Sequence, residues 1–353
     1  LVPRTDKKIE VPLGTVQRKL NDGWLNGFAD WFCAEYPDHS LVEAGMVERF
    51  APAIGQLAKL EAVATMPPSD PHVEYAEANF TDGAKVSPYT PAVMKALELA
   101  LHHVKNGEKV LIGSSRIDTG HFVATRLQER GVKAAHIVEP KGGDEGKFAT
   151  KSPKKRAKEV KEFCEGEGGA VLCVGIEAMK LGHDLAAASV AIVIGLPWSH
   201  EADSQFVRRV HRLSSQKPVT IYRIVPTATL AERKFGLLSD KAAASDLALD
   251  GQLVDDPPEP VNWEKQLKQM RAAGLAVSEE DTLDEIELEQ LWNDAEGVYE
   301  PVIPALPAAK PKVLATVGGG EESTEPKPEP KPFKPFTLTD LVEEDNGQLG
   351  LGI

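Results

Sequence analysis

Cysteine is nearly absent: Cys33, Cys164 and Cys173 are the only three in 353 residues. No two form a C-x-x-C pair and none lies near a histidine at metal-ligand spacing, so neither a disulfide framework nor a metal site is expected. Long apolar runs are missing as well. Nothing approaches the roughly 18 uninterrupted apolar residues of a membrane helix, and the opening LVPRTDKKIE has no apolar signal core, so a cytoplasmic chain with no membrane partner is expected. A start at Leu1 rather than Met reads as a fragment, a processed product or an incomplete reading of a longer chain. Phosphate loops are lacking too. No G-x-G-x-x-G follows a strand pattern. The nearest approach to a G-K-[ST] loop, GGDEGKF at 142–148, has Phe148 after Lys147 and Lys141 where the first glycine belongs, and it reads as a surface loop.

What is present is a chain with 42% apolar residues, enough for a substantial core. The net charge of −14 is unevenly placed: residues 1–250 carry 32 basic and 32 acidic side chains, residues 251–353 carry 8 and 22. The body is neutral, so the low overall pI does not exclude a phosphate backbone as a partner.

From Lys109 to Val225 short β-branched runs alternate with amphipathic stretches, the pattern of a parallel sheet covered by helices. Strands are expected at 109–113, 134–139, 170–175, 190–196 and 219–225, with helices near 118–130, 152–165 and 201–213. Four regions follow: a helical preface at 1–105, an open α/β domain at 106–250, a helical extension at 251–300, and at 301–353 a Pro/Glu/Lys-rich disordered linker ending in a short peptide.

The most informative stretch is GLPWSHEADSQFVRRVHRLSSQKPVTIYRIV, from Gly195. On a helix starting near Glu201, Arg209 and Arg212 share a face at i, i+3 spacing. Two permanently charged forks suit a transferring phosphoryl group, whose charge builds on its equatorial oxygens. Taken alone, an R-R-x-H-R run is more often a salt-bridged, solvated face.

The context is more specific. Gln205, Arg209, His211 and Arg212, after L-P-W and before K-P-V-T-I-Y-R, resemble motif VI of Swi/Snf-type, superfamily-two helicase-like ATPases. KLGHDLAAASVAIVIGLPW is similar to that family's motif V, and KVLIGSSRIDTGHFVATRLQERGV to its motif IV region. Two departures stand: after His211–Arg212 this chain has LSSQ where the family has I-G-Q, displacing Gln216, and residues 140–150 are longer and more basic than a minimal turn.

The resemblance implies a RecA-like open parallel sheet with helices on both faces, the C-terminal lobe of a DNA-dependent ATPase or translocase acting in remodelling or repair. It implies Arg209 and Arg212 as arginine fingers, with Asp184 and Gln205 coupling nucleotide state to lobe closure and Gly182 permitting close backbone approach at the nucleotide site. ATP and Mg²⁺ would be held mainly by a first lobe, in cis or in trans, and the chain alone would hydrolyse ATP negligibly. Ser114, Ser115 and Arg116 are the expected DNA phosphate contacts, with Lys154, Lys155 and Arg156 as a secondary basic patch that also takes in Lys147, Lys151 and Lys158; the setting would be cytoplasmic or nucleoid-associated. His183 and His211 are read as structural. The terminal QLGLGI (348–353) loosely resembles a sliding-clamp peptide, without its aromatic anchor. The competing reading is a non-catalytic RecA-like adaptor recruiting partners through the acidic tail.

Overall fold

The computed structural model describes residues 1–35, 47–141, 148–176, 184–249 and 263–294. Six strands form one sheet in the order β1 (Arg4–Val11), β8 (Val219–Pro226), β7 (Val190–Ile194), β2 (Lys109–Ser114), β6 (Ala170–Gly175) and β3 (Ala134–His136). Every pairing among them is parallel. All six strands therefore end on the same side, and that side and its opposite are the two places where loops can build a site.

Alternation along the central strands explains why the sheet is covered twice. Val110 and Ile112, Val171 and Cys173, and Ile192 and Ile194 point to one face, where they pack under α4 (Pro91–Lys105) and α5 (Ile117–Glu129). Leu111, Leu172, Val174, Ala191 and Val193 point to the other. There they meet Phe163 of α6 (Pro153–Glu165), Ala202, Phe206 and Val207 of α7 (His200–Val210), and Leu238 of α8 (Leu230–Leu249). A third cluster joins α1 (Thr15–Glu35), α2 (Val47–Thr65) and α3 (Pro71–Phe80) to Leu230 of α8 and to Leu267 and Met270 of α9 (Trp263–Leu275). No helix among the described residues is long and apolar enough to cross a membrane.

The open parallel sheet and its helices stand where the periodicity places them. The preface differs at both ends. β1 lies within the region expected to be helical, yet it pairs with β8 over its whole length, from Arg4 opposite Val219 to Val11 opposite Pro226. It is an edge strand, and such strands carry charge to block further pairing, so RTDKKIEV shows little apolar alternation. α4 also belongs to the sheet, with seven of its apolar residues in the cluster that covers β2 and β7. Residues 134–139 divide into β3 and a separate antiparallel pair, β4 (Val138–Pro140) with β5 (Phe148–Thr150).

Beyond the sheet, α10 (Glu285–Asp294) returns to the beginning of the chain. Glu285 is buried and accepts the Val16 and Gln17 N–H groups at 3.2 and 2.7 Å, capping α1 from the far end of the described sequence. Trp292 is buried with its ring under Arg130, 4.8 Å away. The expected disordered stretch 301–353, including QLGLGI, lies outside the described residues.

Candidate functional site

At the carboxyl ends of the strands, β2 leaves Ser114 and turns through Ser115 and Arg116 into α5. Ser114 is fully buried and its hydroxyl donates to the Arg116 carbonyl at 2.6 Å, so this residue closes the turn and is not a DNA contact as expected. Ser115 is exposed, and its N–H donates to the Ile194 carbonyl of β7 at 3.2 Å. The neighbouring backbone is Gly195, at φ +70; a side chain there would collide with the Ser115 hydroxyl. Arg116 grips Asp118 with two bonds, at 3.0 and 2.5 Å, and its guanidinium remains about a third exposed.

Two neighbours complete this end. Trp198, three residues beyond Gly195, keeps 44% of its surface in solvent. In the sequence its signal is an aromatic directly after the L-P that follows β7. The amino end of α6, capped by the Ser152 hydroxyl, carries Lys154, Lys155 and Arg156. Lys155 is held by Glu139 at 2.8 Å and Lys151 by Glu159 at 2.7 Å, which thins the expected basic patch. Lys154 is exposed and has no acidic partner among the described residues; Lys147 lies outside them. His136, at the end of β3, is buried and pushed down to about 4 by desolvation, with the neighbouring His121 adding to the effect. Its Nδ1 accepts the Val138 N–H at 3.3 Å, so the ring is neutral with its proton on Nε2.

The opposite end of the sheet is reached by α7, which starts beyond β7 and runs back. The Ser199 side chain caps it by accepting the Ala202 N–H at 3.0 Å. Phe206 locks it down, since Gly113 leaves room for the ring to lie directly on β2. Asp203 ties it sideways to Arg223 of β8 at 2.8 Å, and Arg223 reaches on to Asp6 of β1 at 2.6 Å.

Arg209 emerges on the last turn. It is half-buried, its Nε is buried, and among the described residues that Nε has no partner and the guanidinium no ion pair. Its carbonyl accepts the Leu185 N–H at 3.1 Å, which fastens the loop carrying Asp184 to the end of the helix. Asp184 is exposed; its carboxylate accepts the Ala186 N–H at 3.0 Å and the Ser214 hydroxyl at 3.3 Å. Gln205 sits one turn before Arg209, its amide donating to Glu201 at 2.7 Å.

Arg212 is not on the helix. α7 ends at Val210, His211 is extended (φ −98, ψ 92), and His211 Nε2 lies 2.8 Å from the Val2 carbonyl. Arg212 stands in the following turn, where its N–H donates to the Ser215 hydroxyl at 2.9 Å and its Nε to the Arg208 carbonyl at 2.9 Å. The shared helical face expected for Arg209 and Arg212 is therefore wrong in its reason: β8 must begin at Val219, and the chain leaves the helix early to reach it. The Arg212–Arg208 bond ties Arg212 back to the last turn of α7, and Asp184 meets the following turn through Ser214, whereas Gln205 bonds Glu201. Gly182 and His183 lie outside the described residues.

Residues 92–214 match the helicase conserved C-terminal domain, a span that contains both ends of the sheet just described. The chain is also similar to a SWI/SNF-related regulator of chromatin of Mus musculus, at 27% identity over 119 residues. The chain is 29% identical over 147 residues to an uncharacterized ATP-dependent helicase of Mycoplasma pneumoniae, covering 41% of this chain and 13% of that protein. It is 34% identical over 105 residues to the DNA repair protein RAD5A of Arabidopsis thaliana, covering 30% of this chain and 10% of that one. The C-terminal part of the Fun30 ATPase domain has the same fold, with a TM-score of 0.52 at 17% identity over 77% of this chain and 98% of that one. The chain thus spans 13% or less of the length of these sequence relatives.

Proposed function

We propose that this chain is the second lobe of a DNA-dependent ATPase, with nucleotide coupling at one end of its sheet and DNA phosphate contacts at the other. The observation that carries the reading is Arg209: a half-buried guanidinium with an unpartnered buried Nε, at the sheet end opposite Ser115, Arg116 and Trp198. A buried donor left unmatched costs stability, about 1–3 kcal/mol, so it calls for an explanation, and a phosphate oxygen brought by a first lobe would supply one for Arg209. The residues present fit the terminal phosphates of a nucleotide and nothing more of it. Arg209 and Arg212 would meet charge developing on a phosphoryl group, while the cradle for the triphosphate and its Mg²⁺ would come from a first lobe.

At the other end Ser115 offers a hydroxyl, Arg116 a forked cation and Trp198 an exposed ring beside them, a set suited to tracking a strand through its backbone. Sequence relatives named for ATP-dependent helicase and DNA repair activity support the same reading.

Steady-state phosphate release tests it. The chain alone is expected to hydrolyse ATP negligibly, with or without DNA. Joined to an ATP-binding first lobe it should turn over in a DNA-stimulated manner, and Arg209→Ala should lower that kcat by about 10³-fold or more. DNA-stimulated turnover by the chain alone, or by the Arg209→Ala assembly at the parental rate, would overturn the proposal.

A further inference from the structure

The loop that displays Trp198 is held from behind by a buried charge pair that the mechanism above does not use. Lys234 of α8 and Glu61 of α2 are exposed by only 2% and 5%. The Lys234 ammonium donates to both carboxylate oxygens of Glu61, at 2.6 and 2.7 Å, and to the carbonyl of Leu196 in the β7–α7 loop. It also lies 4.2 Å from the centre of the Trp198 ring, a cation–π contact. These acceptors take up the three donor directions of an ammonium group.

Stability does not account for such a pair, because apolar residues of the same volume commonly serve a core as well or better. The geometry gives another reason. The Gly195–Trp198 loop is fastened at its first residue by Ser115, whose N–H bonds the preceding Ile194 carbonyl, and at Leu196 by Lys234. Between these points and α7 the indole keeps 44% of its surface in solvent while Lys234 sits against its ring.

We infer that Lys234, braced by Glu61, is a positioning residue: it fixes the β7–α7 loop so that Trp198 stands out at the DNA face, and thereby ties that face to α2 of the preface. This rests on the DNA-face reading above. Glu61 feels Arg116 as well, so the buried pair, the preface and one cation of the proposed DNA face share one electrostatic neighbourhood.

The test uses the full chain and the double replacement Glu61→Gln/Lys234→Met, which removes both charges together and leaves no unpaired ion in the core. Thermal unfolding checks that it is folded. The fluorescence anisotropy of Trp198, taken as the difference between each protein and its Trp198→Phe counterpart, is expected to fall in the double variant without DNA. Affinity for a short labelled duplex should fall about tenfold, as far as Trp198→Ala lowers it, and adding Trp198→Ala to the double variant should cost nothing further. Unchanged Trp198 anisotropy in the folded double variant, or losses that multiply, would overturn the inference. A fall in anisotropy with unchanged DNA affinity supports the positioning role and counts against the DNA face instead. Lys234→Arg with Glu61 intact should restore much of the order, since it keeps the charge and the donors.

Discussion

The two ends of this sheet are built on different principles. At the carboxyl end, Arg116 is already gripped by Asp118, Lys155 by Glu139 and the Trp198 loop by Lys234, so these two surface cations are partly neutralised. At the amino end Arg209 is held through its backbone, by Leu185, while its guanidinium is left without an ion pair among the described residues. A surface that must hold and release many equivalent phosphates gains from moderated charge, because each fully exposed cation adds affinity that slows movement. A group that acts once per turnover on concentrated charge gains from being poised and unpaired. The difference is the one that the proposed division of DNA binding and phosphoryl chemistry between the ends would require.

The comparison breaks most sharply where one residue serves both ends. Phe206 is wholly buried in the middle of α7, against Gly113 of β2. Phe206→Ala should cost about 3–5 kcal/mol in denaturant-unfolding free energy. It should also weaken DNA affinity and arginine-dependent turnover together; loss at one end alone would show that α7 does not connect them.

His136 sharpens the comparison at the carboxyl end. Burial lowers it from the ordinary 6.5 to about 4, so the unfolded chain takes up its proton first as the pH falls. The stability associated with neutral His136 is complete above pH 6.5 and is lost between there and pH 4, by up to about 3 kcal/mol. Urea midpoints across this window should fall in the parent and fall less in His136→Leu. Equal slopes in both proteins would assign the acid sensitivity elsewhere.

How much of this was legible in the sequence depended on whether a residue's role is local. The central strands and α5, α6 and α7 follow from alternation and helical spacing, because each buries a continuous apolar face. β1 was not legible, since an edge strand advertises charge and its partner β8 is more than 200 residues away. Arg209 is singled out by its motif, and the structure leaves its guanidinium without an ion pair among the described residues. The reason given for Arg212, helical spacing, failed because the helix ends two residues earlier to feed β8, a constraint set by the sheet and absent from the local pattern. Ser114 was misassigned for a similar reason: polarity at a strand end does not tell which of two consecutive serines points inward. Trp198 carried a local signal; Lys234 and Glu61 carried none, being brought together across 173 residues.

The most direct test of the division between the ends is a paired measurement of duplex affinity against salt concentration for the full chain, Arg116→Ala and Arg209→Ala. If the carboxyl end holds the backbone, Arg116→Ala binds more weakly and its log–log salt slope is shallower by about one, while Arg209→Ala binds DNA as the parent does. Equal weakening by both substitutions would contradict the account.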